Sequence, residues 1–263
     1  MLSKNRIKYI RSLEMKKYRD ELSVFVAEGN KLVADLLPAF ACEWLLARPE
    51  WLDQHPQVAA KVCEEVTEEE IRKASCLKNP QDVLAIFKRP AWDIASVHPE
   101  RQLVIALDGI QDPGNLGTII RLADWFGIHD VVCSLDTADV FSPKAVQATM
   151  GALARVRIHY LDLEAYCRQL ADRQIPLYGT LLDGEDLYDK QLTTHGLLVM
   201  GNEGRGIRPA IRSLVNERLY IPNFPVGTPT SESLNVAIAT AVVCAEFRRR
   251  EWCTASCDYG CRW

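Results

Sequence analysis

The alternation of apolar and polar positions is clearest from Leu103 to Val132. An apolar run, Leu103–Leu107, stops at Asp108-Gly109, and a polar turn, Gln111-Asp112-Pro113-Gly114-Asn115, follows. Leu116, Ile119, Ile120, Ala123 and Phe126 then recur at helical spacing, and Gly127 stands where such a helix stops. A second apolar run begins at Val131. The order predicts strand, turn, helix, strand, the unit from which parallel α/β sheets are built. In such a sheet the turn lies at the carboxyl end of a strand, where ligands bind. Asn115 is placed to cap the helix and Arg121 to lie about one and a half turns in. The same two residues also fit a plain cap and a solvated charge.

Further along, Ser142-Pro143 reads as a helix start, continued over Lys144–Leu153. A strand is expected over Val156–Ile158, a helix over Leu163–Asp172 and a strand over Leu177–Leu182, with Gly179-Thr180 inside it. Leu197–Met200 is another apolar run, and Gly201-Asn202-Glu203-Gly204-Arg205-Gly206 follows. Three glycines in that turn let backbone amides face a ligand; they also suit a strand–helix turn that needs glycine for geometry alone. The turn lacks the Lys-Ser/Thr of a P-loop and the spacing of a dinucleotide fingerprint. After Leu219-Tyr220-Ile221-Pro222 comes a loop broken by Pro225 and Pro229, then a helix capped by Ser231 or Ser233 and running to about Arg250. Its stretch Asn235–Ala245 is apolar nearly all round, which places it at a domain centre or a subunit interface.

The first third alternates differently. Ile7, Ile10, Leu13 and Met15 form a loose helical stripe. Strands are expected at Phe25–Ala27, Trp44–Ala47, Val62–Val66 and Val83–Phe87, with a helix over Asn30–Leu37. Thr67 and Glu70 fit a capping box before Ile71–Ala74. Lys88–Arg101, with two prolines and little periodicity, reads as a linker.

Composition adjusts this picture modestly. The chain has 263 residues, 48% hydrophobic and 25% charged, as a globular protein of one large or two ordinary domains does. The net charge is −4. That argues against a uniformly basic nucleic-acid binder but leaves room for a local patch. Residues 1–31 supply one: eight basic residues face four acidic ones. Lys4, Arg6, Lys16, Lys17 and Arg19 belong to it, either as a solvated helix face or as a phosphate-contacting surface. No apolar run approaches the ~20 residues of a membrane span, and the N-terminus lacks a secretory core. Nine scattered cysteines suit reduced thiols in a cytoplasmic protein. Cys253, Cys257 and Cys261 match no zinc spacing, so no metal is expected.

Three stretches in order, Leu103–Val132, LLVMGNEGRGI (Leu197–Ile207) and IPNFPVGTPTSESLNVAIATAV (Ile221–Val242), resemble the motifs of the SpoU branch of the SPOUT RNA methyltransferases, the TrmH-like enzymes. One departure is the loop Asn223–Glu232, ten residues long and longer than the family pattern. The resemblance implies an open parallel α/β sheet with a C-terminal trefoil knot over residues 98–252. A small α/β ribosomal-protein-like RNA-binding domain and linker precede it over 1–97, and a tail follows over 253–263.

The resemblance also implies the chemistry. S-adenosylmethionine is the methyl donor and a ribose 2′-hydroxyl of RNA the acceptor. Ribosomal RNA is expected before tRNA, because the N-terminal pattern resembles that of enzymes acting on ribosomal RNA. Backbone at Gly201, Ile221 and Leu234 holds the donor, with Thr180 near the adenine. Arg121 activates the hydroxyl. A guanidinium stays protonated, so a clamp on phosphate and on developing alkoxide charge suits it better than a base. Asn115 and Glu203 orient Arg121 and the ribose, and Ser233 and Asn235 complete the site. A homodimer through the Asn235–Ala245 helix is expected, without metal or membrane. The competing readings are the same reaction on tRNA, a catalytically silent RNA-binding protein of the same fold, and an ordinary nucleotide-binding α/β enzyme.

Overall fold

The structure is a computed structural model and describes residues 2–225, 228, 231 and 233–257. In the first part of the chain the elements are α1 (Lys4–Ser12), α2 (Lys16–Leu22), β1 (Val24–Glu28), α3 (Asn30–Leu36), β2 (Cys42–Ala47), α4 (Pro49–Gln54), β3 (Cys63–Glu65), α5 (Glu68–Ala74) and β4 (Val83–Lys88). In the second they are β5 (Leu103–Asp108), α6 (Pro113–Trp125), β6 (Asp130–Ser134), α7 (Pro143–Thr149), β7 (Arg157–Leu161) and α8 (Leu163–Asp172). Last come β8 (Leu177–Asp186), β9 (Gly196–Gly201), α9 (Pro209–Arg212), β10 (Glu217–Tyr220) and α10 (Val236–Cys257). Two compact units result: Met1–Ala91 with Asp139–Arg155, and Trp92–Ala138 with Val156–Trp263.

The first unit is built on a mixed sheet in the order β1-β4-β2-β3, parallel only between β2 and β3. Local chemistry sets its helix ends. Ser3 caps α1, and Thr67 with Glu70 makes the full capping box of α5, as the sequence predicts. Leu2, Ile10, Leu13, Val26, Leu46, Ile71 and Leu84 fill one face. On the other, Phe25 packs against Phe40, Phe87 and Phe141 at centroid distances of 5.3, 5.5 and 5.0 Å. Phe141 comes from Asp139–Arg155, whose α7 packs on β1. The sequence placed this run with the methyltransferase region, and by packing it lies with the first unit.

The second unit is an all-parallel sheet in the order β10-β8-β9-β5-β6-β7. Every residue of β5 and β6 is buried, as strands covered on both faces require. The chain winds outward from β5 to β7, then returns to the other side of β5 with β8 to β10. The winding reverses between β5 and β9, the crevice where open sheets take ligands. Helix α8 and strand β9 match their predicted spans to within a residue. Strand β8 runs four residues past its predicted end, and β7 occupies Arg157–Leu161 rather than Val156–Ile158. The expected linker is partly core: Val97, after a short 3-10 turn at Ile94–Ser96, is buried with Val104, Leu163 and Leu177.

Helix α10 runs past Arg250 to Cys257, and its cap is neither expected serine. Asn235 Oδ1 accepts the Ala237 and Ile238 amides at 2.9 and 3.3 Å. The helix is not buried all round in one chain. Val236, Ala237, Thr240, Val243, Cys244 and Phe247 face the core, whereas Ala245 is exposed, Val242 half-buried and Ile238 55% exposed. Arg248 Nε bonds the Phe126 carbonyl at 2.7 Å, tying α10 to the end of α6. Among the described residues no helix is long and apolar enough to cross a membrane, and no group of three or more His, Cys, Asp or Glu is placed to hold a metal. Cys261 and the rest of 258–263 lie outside the described residues.

Candidate active site

The site grows from the paired ends of β5 and β9, where Asp108 stands opposite Gly201. After β5, Gly109 turns at φ +71°, a conformation that favours glycine. Asp112 then caps α6 by accepting the Asn115 amide at 2.9 Å, with Pro113 in the first turn. The sequence had Asn115 as the cap. The structure moves that role three residues earlier and frees the Asn115 side chain for the site.

That side chain is the centre of a hydrogen-bonded chain. Asn115 Nδ2 donates to Glu203 Oε1 at 2.7 Å, and Asn235 Nδ2 donates to Asn115 Oδ1 at 3.1 Å. Three predicted residues from three distant motifs therefore meet. Their amides point one way, toward the Glu203 carboxylate, which keeps capacity to accept a hydroxyl proton or a ribose hydrogen bond. Arg121 stands apart, about 9 Å further along α6 at 1.5 Å per residue. It is exposed and, among the described residues, makes no hydrogen bond or ion pair. Neither Asn115 nor Glu203 orients it here.

The loop that carries Glu203 is fastened at both ends. Asn202 Nδ2 donates to the Gly109 carbonyl at 2.7 Å, while its Oδ1 accepts the Gly204 and Arg205 amides at 3.0 and 3.1 Å. At the far end, the fully buried Asp108 carboxylate accepts the Arg208 backbone amide at 2.7 Å and Arg208 Nε at 2.6 Å. Arg208 also reaches Asp136 at 3.6 Å. The Asp136 carboxyl is held below its ordinary range by the Ser134 hydroxyl and by the charges of Arg208 and Arg205. Sequence reasoning missed Asp108, Asn202 and Arg208. The available signal was a carboxylate closing a wholly apolar strand, because a buried charge requires a partner.

Of the residues expected at the donor, Thr180 and Ile221 are half-buried and Leu234 exposed; Ser233, expected to complete the catalytic set, is exposed as well. Thr180 Oγ1 lies 3.9 Å from Met200 Sδ. A Cβ at Gly201 would meet the Gly206 carbonyl carbon and the Ile207 nitrogen at 2.3 Å, so the backbone there is packed closer than any side chain permits. Gly201 is thus the residue that lets the returning Gly206-Ile207 backbone pack directly on the end of β9.

The basic residues of the first unit divide. Lys4, Arg6, Lys16 and Lys17 are exposed. Arg6 pairs with Glu64 at 2.6 Å and lies over the Trp44 ring, and Lys16 pairs with Asp20 at 2.8 Å. Arg19, expected with them at the RNA surface, is not there. It is 2% exposed, donates to the Leu13 and Glu14 carbonyls at 2.7 and 2.6 Å, and pairs with Asp139 at 2.7 Å. A guanidinium with its donors used inside the fold has no surface left for RNA.

Comparison with known proteins adds relatives to this geometry. The SpoU rRNA Methylase family is matched over residues 102–245, and an MRM3-like substrate binding domain over 4–85. The chain is 29% identical over 246 residues to the 23S rRNA (guanosine(2553)-2′-O)-methyltransferase RlmP of Bacillus subtilis, covering 92% of this chain and 96% of that one. A TrmH-family structure from Porphyromonas gingivalis is similar with 44% identity and a TM-score of 0.87, covering 95% and 99%. An AdoMet-bound rRNA methyltransferase from Sinorhizobium meliloti is similar with 33% identity and a TM-score of 0.83, covering 95% and 96%.

Proposed function

Because the chain belongs to the SpoU rRNA methylase family, we propose that it transfers a methyl group from S-adenosylmethionine to a ribose 2′-hydroxyl of ribosomal RNA. The observation that carries this reading is the Asn235–Asn115–Glu203 chain at the reversal point of the sheet. A protein that only bound RNA would have no use for a carboxylate aligned by a chain of two amides at that point.

When bound, S-adenosylmethionine supplies a methyl already activated by its sulfonium. The chain's own work is alignment and charge. Backbone at Gly201, Ile221 and Leu234 would hold the donor, with the Thr180 hydroxyl available to its adenine. Glu203, fixed by Asn115, accepts the ribose hydrogen bond and positions the 2′-oxygen. Arg121, exposed and unpaired among the described residues, clamps the neighbouring phosphate and stabilises charge on the departing-proton oxygen. Ser233 and Asn235 close the site.

The remaining elements fit the same reading. The knot of the family threads the segment that carries Ile221 and Asn235. The apolar strip Ile238, Val242 and Ala245 on α10 seats a second copy of the chain. Lys4, Arg6, Lys16 and Lys17 contact RNA phosphates, and the protein works in the cytoplasm. Mapping 2′-O-methyl positions in ribosomal and transfer RNA from cells with and without the gene tests the proposal. One position lost from ribosomal RNA is expected. Loss from tRNA alone moves the substrate, and no loss from either rejects the activity.

A further inference from the structure

We propose that Phe224 is a base-stacking residue that receives an unstacked RNA nucleotide at the site; the proposal rests on the ribose-methylation reading above. Strand β10 ends at Tyr220, on the same carboxyl edge of the parallel sheet as Asp108 and Gly201. The segment that leaves it returns at Asn235, which is bonded to Asn115. The loop therefore starts on the edge strand of that carboxyl side and finishes at the reaction site. It is also the stretch in which this chain departs from the family pattern.

The first part of that loop is braced. Tyr220 Oη donates to Asn223 Oδ1 at 3.4 Å, and Asn223 Nδ2 donates to the Thr228 carbonyl at 3.1 Å. The Thr228 backbone amide and hydroxyl both donate to the Pro225 carbonyl, at 3.2 and 2.7 Å. Phe224 sits inside this closed turn, yet its ring is 94% exposed, more than any other large apolar side chain among the described residues. None of these bonds uses the ring, so the turn does not need a phenylalanine to form.

The reaction gives the ring a use. A ribose hydroxyl inside a stacked strand cannot be brought against a carboxylate and a donor, so the nucleotide must leave its neighbours. The Asn235–Asn115–Glu203 chain is polar and offers the displaced base no flat face. An aromatic ring replaces the lost stacking for any base. It stiffens no other contact, and the following Pro225 limits its backbone freedom.

The test uses the full chain and three variants, Phe224→Ala, Phe224→Leu and Phe224→Trp. The RNA probe is ribosomal RNA from cells lacking the gene. Loss of one base–aromatic stack corresponds to about a 5- to 150-fold rise in KM for RNA. The Ala and Leu variants are expected to show it, with donor affinity by calorimetry, mass by light scattering and the salt slope of RNA binding all unchanged. The Trp variant is expected to keep parental KM, and its added fluorescence is expected to be quenched when RNA binds. KM within twofold of the parent in the Ala and Leu variants overturns the proposal. So does a fall in donor affinity, which assigns the ring to the donor's adenine, or a change of mass, which assigns it to a second copy. If the parent leaves this RNA unmethylated, the methylation reading fails on its own account. The fluorescence arm still decides, because an unquenched Trp variant on the same RNA overturns stacking.

Discussion

Asp108→Asn tests whether the fastening of the Glu203 loop matters for catalysis. The carboxylate is fully buried and takes two bonds from Arg208, one from the main chain at 2.7 Å and one from Nε at 2.6 Å. An asparagine keeps one acceptor and turns an NH2 toward the other donor. A hydrogen bond to a charged group contributes about 1.5–3 kcal/mol, and the half-exposed Arg208 side chain recovers part of its loss from water. The expected cost is therefore about 2 kcal/mol, a fall in Tm of about 4–8 °C for a chain of this size. The larger effect is on rate. With Arg208 released, the loop is held only through Asn202, and Glu203 is free to drift from Asn115. A displacement of about 1 Å in a positioning group costs up to ~100-fold, so kcat should fall about 10- to 100-fold. The assay is methyl transfer to ribosomal RNA at saturating donor, with Tm by calorimetry. Arg212→Ala, which removes only a surface pair with Asp183, serves as the control. A variant with the lowered Tm but parental kcat would refute the argument, because the loop would then hold Glu203 by itself.

Arg121→Ala is expected to abolish methyl transfer and leave donor affinity, read by calorimetry, within about twofold of the parent, since the donor is proposed to be held by backbone elsewhere; near-normal turnover removes Arg121 from the site. Ile238→Glu places a charge on the exposed strip of α10, where a single chain tolerates it, and light scattering should then report a folded monomer without activity; an unchanged dimer puts the interface elsewhere. A cut at residue 97 should give insoluble protein, because Val140, Phe141, Val146 and Leu153 lose the unit that buries them; a soluble, donor-binding fragment contradicts the packing. Burial raises the pKa of the Glu28 carboxyl, against the Ser75 hydroxyl and Cys76 amide that lower it. Below the ordinary carboxylate range the group is protonated in both states. As pH rises through its raised folded value the native state comes to hold a buried charge, so stability is lost. Glu28→Gln should therefore match the parent near about pH 4 and exceed it near about pH 8, and calorimetry across that range showing the reverse order rejects the sign.

Much of this was legible where chemistry is local. The capping box of Thr67 and Glu70, the Ser142-Pro143 start and the span of α8 follow from neighbours within a turn. The three site motifs were readable as types of residue, and three of their side chains do meet. Caps failed where two candidates lay close together. Asp112 with Pro113 looked like a turn, although proline is at home in the first turn of a helix, and Asn235 outcompeted two serines. Arg19 failed for another reason. A count of charges on one stretch carries no information about Asp139, 120 positions away, which draws the guanidinium inside. The same distance hides the membership of Asp139–Arg155, since nothing local distinguishes a helix that packs on its own sheet from one that packs on another.

That membership sets the order in which the protein is made. Translation releases the chain from its N-terminus, and a unit completed early folds early. Here the first unit is not complete at Ala91, because the ring of Phe141, the base of Asp139 beneath Arg19 and the whole of α7 have yet to emerge. Synthesis of the roughly sixty further residues takes on the order of 3–13 s at about 5–20 residues per second. During that interval Phe25 and Phe87 stand without their last aromatic neighbour and β1 without its covering helix, so the nascent first unit presents an uncovered apolar face. By the time residue 155 appears, β5 and α6 have already been made but β7 to α10 have not, so the first unit closes around a stretch of the second that is still waiting for most of its sheet.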